Sequence, residues 1–288
     1  MRITTLIENS ADEEKKLKNE HGLSIFIESS QGNILFDTGQ SGDFIDNAKK
    51  LNIDLASIKT LVLSHAHYDH CGGVRRLLEE YNIKPEIIIS ENFFKNSNKY
   101  HYSDGSIQAD FSKEAGYKYI GIDFDEEYLK EKNISIKYLK ENMYKINKEV
   151  FVFTNFKKIH DFEKDNVNMK IKTGENQYIV DPFIDEISIG LKTKDGIVIL
   201  LGCAHPGFLN ITDSIAEYSH EKVVGIIGGT HLIEGDEVRV NKSAEYLNSL
   251  NLKLLGLSHC TGEKASAILN EKCKHTFENM TGKVLILE

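Results

Sequence analysis

Residues 61–73, LVLSHAHYDHCGG, place His65, His67, Asp69 and His70 within six positions, directly after an apolar run. Imidazole suits zinc and iron, and a carboxylate can supply the hard oxygen ligand that completes such a site. In an extended segment side chains alternate, so His65, His67 and Asp69 would point to one side. His70 breaks that period. It rejoins the group only if the chain turns into a helix between Tyr68 and Gly72, and Gly72-Gly73 would allow a close turn there. One strand end could then serve two adjacent metals, with His65 and His67 on one and Asp69 and His70 on the other.

Positioning such a cluster needs strands that end together. NILF (33–36) runs into Asp37-Thr38-Gly39, after which Phe44, Ala48 and Leu51 fall on one face of a short helix. TLVLS (60–64) runs into the cluster, and Val74, Leu77, Leu78 and Tyr81 predict a helix starting near Gly73. GIVILLGCAHPG (196–207), VVGIIGGTHL (223–232) and KLLGLSHCTG (253–262) each place a histidine just past an apolar run, at His205, His231 and His259. Ligands in α/β proteins collect outside the carboxyl ends of strands. Four loops thus offer histidines to one site, whereas the lone His101, His160, His220 and His275 read as structural or exposed.

Residues from about 91 to 180 differ, being rich in Lys, Asn, Tyr and Phe, and read as an insertion or small α+β subdomain within a single domain over 1–288. The alternation in VFVFTNF (150–156) predicts a strand. The segment could wall or cover a substrate, or be a surface elaboration. Phe93, Phe94, Tyr100 and Tyr102 could stack on a planar ring, although aromatics more often pack in cores.

At 288 residues the chain is long enough for one large α/β domain or two smaller ones. A net charge of −9 with both signs interspersed gives no basic stripe, which argues against nucleic acid. No apolar run nears the ~18 residues of a membrane span, and the N-terminal residues do not resemble a secretion signal, so a cytoplasmic protein is expected. Four cysteines, Cys71, Cys203, Cys260 and Cys273, suit a reduced compartment. Free cysteines are usually small buried hydrophobes; Cys203, two residues before His205, is the one that could ligate. Oligomeric state is not written in the sequence.

HAHYDH is the H-x-H-x-D-H motif of the metallo-β-lactamase superfamily, and FDTG (36–39) resembles that family's early aspartate turn. GCAHPG, GGTHL and SHCTG in this order, with EHG at 20–22, are similar to the branch of dihydropterin ribofuranosyl-aminobenzene phosphate synthase-like proteins, some of which carry a ferredoxin-like insertion. The resemblance implies an αββα sandwich with a dinuclear metal site at one edge. It assigns His65 and His67 to a first metal, Asp69 and His70 to a second and His259 to the last histidine of the family pattern, with His205 the best candidate to complete the first site. Asp37 would support the site by hydrogen bonding, or simply be a turn residue. The family's bridging aspartate has no counterpart here: the candidate loops read Gly202-Cys203-Ala204-His205 and Gly229-Thr230-His231, so either Cys203 or His231 takes that place, or there is no protein bridge and the second metal binds weakly. His21 and His231 could contact a substrate anion or support a ligand.

The expected activity is hydrolysis of a small-molecule ester or phosphoester, with cyclic phosphodiesters and pterin-related or phosphorylated substrates among the candidates. A metal-bound hydroxide would be the nucleophile, Asp69 would ligate and orient it, and His231 would assist. Two divalent metals are implied, zinc first, with manganese or iron as alternatives. An iron-dependent redox enzyme is a second reading, because persulfide dioxygenases keep the histidine form of the motif. A metal-stabilised metabolite-binding protein is a third. Structural zinc sites are closed by four protein ligands, and six or seven candidates around two metals leave room for solvent, which favours catalysis.

Overall fold

Strand Gly196–Leu201 shows no polar alternation because both of its faces are buried. Its side chains alternate between two apolar layers. Val198 and Leu200 face the interior of a sandwich, while Ile197, Ile199 and Leu201 pack beneath helices. The same alternation occurs in the strand before the histidine cluster, with Val62 inside and Leu61 and Leu63 on the helix side.

The computed structural model describes residues 1–105 and 115–288. Two seven-stranded sheets pack face to face. In the first, strands Gly32–Phe36, Ile58–Val62, Glu86–Ser90 and Ile136–Leu139 run parallel, flanked by antiparallel Ser24–Ser29, Arg2–Ile7 and Val284–Ile286. In the second, Gly196–Leu201, Val223–Gly229, Leu254–Ser258 and Thr276–Glu278 run parallel, continued by antiparallel Ser188–Thr193, Val150–Phe153 and Met143–Lys145. Helices Phe44–Lys50 and Val74–Tyr81 cover the first sheet; Phe208–Ser219, Glu237–Ser249 and Glu263–Lys272 cover the second. The layers are helix, sheet, sheet, helix, as expected for the αββα sandwich.

Among the described residues, those from 91 to 105 and 115 to 180 contribute to all three sheets. Lys99–Ser103, Gly116–Tyr119, Met169–Gly174 and Gln177–Val180 form a separate four-stranded antiparallel sheet. Between them in sequence, Ile136–Leu139 joins the first large sheet and Met143–Lys145 and Val150–Phe153 join the second. The helix Glu126–Glu131 buries Tyr128 and Leu129 against the first core. Residues 106–114 of this segment lie outside the described residues. Among the described residues, no helix is long and apolar enough to cross a membrane.

Candidate metal centre

The strand Ile58–Val62 leads through residues 63–66 to the extended residue His67, which stands at the N-cap of a single helical turn, Tyr68–Cys71. That turn swings His70 back beside Asp69. Gly72 and Gly73 serve it differently from the expected conformational freedom, since their φ values of −65° and −85° are ordinary helical ones. Their lack of a side chain is what matters: a Cβ on Gly72 would lie 1.9 Å from the Gln40 carbonyl oxygen, and one on Gly73 2.3 Å from that of Thr38. The helical turn is pressed onto the Asp37–Gln40 loop and bonded to it, with Thr38 N donating to the His70 carbonyl at 2.7 Å and Gly72 N to that of Gly39 at 3.0 Å.

The strand ends deliver three overlapping groups of donors. His65, His67 and His205 form one, Asp69, His70, Cys203 and His259 a second, and Cys203, His205 and His231 a third; within each, the donor atoms lie within 4.8 Å of one another. In the first, His65 Nε2 is 3.0 Å from His67 Nδ1. In the second, His70 Nε2 is 3.1 Å from His259 Nε2 and 3.2 Å from Cys203 Sγ, and Asp69 Oδ2 is 3.2 Å from His259 Nε2. Cys203 belongs to the second and third groups and not to the first, so its thiol stands beside His205 and His231 as well as beside His70. Four of these turns bend through positive φ at non-glycine residues, Asp37 (60°), Ala204 (60°), His231 (48°) and His259 (51°), a costly conformation of the kind that clusters at functional sites.

Hydrogen bonds behind the donors fix which nitrogen faces inward for His65, His70 and His259. Asp37 accepts three: Ser64 N on Oδ1 at 2.7 Å, and Ser64 Oγ and His70 Nδ1 on Oδ2 at 2.8 and 2.6 Å. Because the Ser64 hydroxyl proton goes to Asp37, the 2.8 Å contact between Ser64 Oγ and His65 Nδ1 must be donated by the ring. Asp37 thereby leaves Nε2 of both His65 and His70 facing the donor groups. Gly202 permits this packing, since a Cβ there would lie 2.5 Å from Ser64 Oγ. His259 Nδ1 is held at 2.9 Å by Asn9 Oδ1, an oxygen that also accepts Gly22 N, so His259 too presents Nε2. His21 Nε2 reaches Asp69 Oδ2 at 3.2 Å from the edge of the site.

The donor set fits metal ions. Two imidazole lone pairs facing each other at 3.1 Å, on His70 and His259, repel unless a cation lies between them. His67 Nε2, both ring nitrogens of His205 and His231 Nδ1 are buried without any hydrogen-bond partner. Burial holds His65, His67, His205 and His259 below the ordinary imidazole range, in the neutral form that ligation requires. For His70, burial opposes protonation, but Asp37 and Asp69 outweigh it and raise it to about 9, so without metal a proton takes the cation's place. Burial likewise opposes ionisation of Asp69, yet His70, His21 and His259 hold its carboxyl well below the usual carboxylate range.

His231 enters from the strand Val223–Gly229, with its backbone N–H on Cys260 Sγ at 3.3 Å and Nε2 3.2 Å from Glu234. Glu234 also holds His101 Nε2 at 3.2 Å. His101, expected to be structural or exposed, is buried and through this contact links the four-stranded sheet to the centre. The other lone histidines stay remote: His160 bonds Asp213 at 2.8 Å, and His220 and His275 are exposed. The cleft over the donors leaves about 40 Å³ free, and its apolar walls are Tyr68, Ile120, Met169 and Ile233. None of the aromatics suggested for stacking lines it. Phe93 and Phe94 pack in the first core, and Tyr100 and Tyr102 stand on the outer face of the small sheet against Tyr119, Tyr178 and Tyr117.

Several supporting residues were not visible as such in the sequence. Glu8 accepts the His259 backbone N–H, Asp185 accepts Ala66 N at 3.0 Å, and Glu186 accepts Ala204 N at 3.1 Å. Burial, with Asp185 beside it, pushes Glu186 up to about 8, and burial pushes Glu8 up to about 7. Their one sequence signal is acidic residues set among apolar ones beside strands, in TLIENS and DPFIDEI.

Comparison with known proteins agrees with this geometry. The family described as the metallo-beta-lactamase superfamily matches residues 18–137. A protein of Methanocaldococcus jannaschii named 7,8-dihydropterin-6-methyl-4-(beta-D-ribofuranosyl)-aminobenzene-5'-phosphate synthase is 32% identical over 99% of this chain and 96% of its own length. The crystal structure of Tm1679, described as a metal-dependent hydrolase of the beta-lactamase superfamily, is 28% identical and superposes with a TM-score of 0.82 over 100% of this chain and 99% of that one. Human tRNase Z, short form, shares the fold alone, at 13% identity and a TM-score of 0.52 over the full length of both chains. The chain belongs to the metallo-β-lactamase superfamily, in the branch resembling dihydropterin ribofuranosyl-aminobenzene phosphate synthase-like proteins.

Proposed function

We propose that the protein is a dinuclear metallohydrolase acting on an ester or phosphoester of a small, pterin-related or phosphorylated molecule. The observation that carries this reading is that Cys203 belongs to the Asp69, His70 and His259 group and also groups with His205, with ring nitrogens of His67 and His205 left without partners in the protein. His65, His67 and His205 would hold one divalent ion, and Asp69, His70 and His259 the other, with Cys203 between them. Zinc suits this mixed nitrogen, oxygen and sulfur set, with manganese or iron as alternatives. Such ions supply Lewis acidity and make water nucleophilic near neutral pH.

The chain's own groups then divide the remaining work. Asp69, fixed by His21, orients the nucleophile. His231 holds a proton for the leaving group: burial opposes that proton, but Cys260 and Glu234 raise the imidazole to about 9, and Nδ1 is the nitrogen without a partner. The likeness to Tm1679 supports hydrolysis. Identity to a protein named a synthase favours a second reading, in which the same centre joins two substrates rather than splitting one. The test is turnover of a panel of carboxylic esters, phosphodiesters and cyclic phosphodiesters by zinc-, manganese- or iron-loaded protein. Turnover abolished by chelator and restored by metal supports hydrolysis; saturable binding of a phosphorylated pterin with no turnover of any ester contradicts it.

A further inference from the structure

Lys99 lies on the four-stranded sheet, is fully buried, and makes two ion pairs, to Asp181 at 2.6 Å and Asp185 at 2.9 Å. Strand alternation turns Lys99, His101 and Ser103 inward and Tyr100 and Tyr102 outward. Burying three charges is a poor route to stability, because well-packed apolar residues commonly serve as well or better. The network needs another reason to exist.

Both of its branches end on the first histidine group. Asp185 uses its second oxygen to accept the N–H of Ala66, the residue between His65 and His67. Asp181 accepts the N–H of Phe183 at 2.8 Å, which holds that residue at a φ of +49°. The Lys99 ammonium lies 4.6 Å from the centre of the Phe183 ring. That ring is stacked flat on His205, 3.9 Å away and 9° from parallel, and meets His67 edge-on at 5.8 Å.

His205 needs such help. A metal-ligating histidine almost always donates its other ring N–H to an acceptor, which fixes the ring's orientation. Asp37, Ser64 and Asn9 provide this for His70, His65 and His259. Neither ring nitrogen of His205 has a hydrogen-bond partner. Its plane is set by packing against Phe183.

We propose that Lys99 is a positioning residue for the first donor group, acting through Asp185 on the His65–His67 loop and through Asp181 and Phe183 on the His205 ring. The four-stranded sheet thereby completes one metal position and not the other. This rests on the metal-centre reading above.

The test compares wild type, Lys99→Met, Lys99→Arg and Phe183→Leu by cobalt titration, reading the equivalents bound, the affinity of each and the visible absorption of the cobalt centres. Folding is followed by circular dichroism. Outer partners of metal ligands typically contribute 10–100-fold in affinity. Lys99→Met and Phe183→Leu should weaken one equivalent by about that factor, change its spectrum and leave the other equivalent unchanged, while Lys99→Arg restores much of the loss. Wild-type affinities and spectra in a folded Lys99→Met protein overturn the proposal, as does equal weakening of both equivalents. If Lys99→Met does not fold, Phe183→Leu decides, because it removes the stacked ring without stranding a charge; unchanged affinity there overturns the proposal. A wild-type protein that takes up no cobalt refutes the metal-centre reading and this proposal with it. Two bound equivalents that respond to neither variant refute this proposal alone.

Discussion

Replacing Asp37 with Asn tests whether one buried carboxylate sets the ring tautomers of both donor groups. The carboxylate accepts from Ser64 N on one oxygen and from Ser64 Oγ and His70 Nδ1 on the other. An amide has a single oxygen, so in either orientation its NH2 meets a group that was donating. If the oxygen faces His70, the Ser64 N–H is left buried without an acceptor, at about 1–3 kcal/mol. If it faces Ser64 N, the amide becomes a donor toward His70 Nδ1, which pushes that ring toward the wrong tautomer. Loss of such a partner typically lowers metal affinity 10–100-fold, about 1.4–2.7 kcal/mol. The loss should be larger for the Asp69, His70 and His259 group, which Asp37 touches directly, than for His65, which it reaches through Ser64. Competition against a chromophoric chelator measures both constants, and urea unfolding of the stripped protein measures the stability term. Affinities within twofold of wild type at both positions would make Asp37 a turn residue and nothing more.

Metal uptake should release a proton from between His70 and His259. His70 is raised from 6.5 to about 9, so apparent affinity at that position should climb about tenfold per pH unit below 9 and level off above it, read by calorimetry in buffers of different ionisation enthalpy. In metal-free protein the same proton stabilises the fold; that contribution is full below 6.5 and lost as pH rises through about 9, so the urea midpoint should fall over that window. Gly72→Ala forces a methyl to 1.9 Å from the Gln40 carbonyl oxygen and should destabilise by at least the ~1–3 kcal/mol usual for overpacking, seen as a lowered melting temperature; an unchanged one would show that the helical turn and the Asp37 loop move freely. Cys203→Ser should abolish the thiolate-to-cobalt charge-transfer band of the cobalt-substituted protein, and the lack of that band in wild type would remove Cys203 from the ligands.

The adjacency of His65, His67, Asp69 and His70 was legible because it is set by one strand end and one helical turn, both short-range. His205, His231 and His259 were legible through a repeated pattern, an apolar strand ending in histidine, and parallel strands bring such ends together. Tertiary pairing was less so. The stretch 91–180 reads as a unit by composition, yet its strands divide among three sheets, and edge pairing of Ile136–Leu139 with Glu86–Ser90 has no local signature. Buried charge was the least legible feature. Lys99, Asp181, Asp185 and Glu186 look like surface residues until their partners arrive from distant strands. His101 read as structural or exposed, and its particular partner, Glu234, had no local signal because it lies 133 positions away.

The central claim is a pair of metal ions held by two donor groups, one containing Cys203 and the other linked to it through His205. Anomalous diffraction at the zinc edge from crystals of zinc-loaded protein tests it directly. Two peaks about 3.5–4 Å apart, one within reach of His65, His67 and His205 and the other of Asp69, His70 and His259, are the expected result. A single peak, or ions bound away from these side chains, would contradict the account.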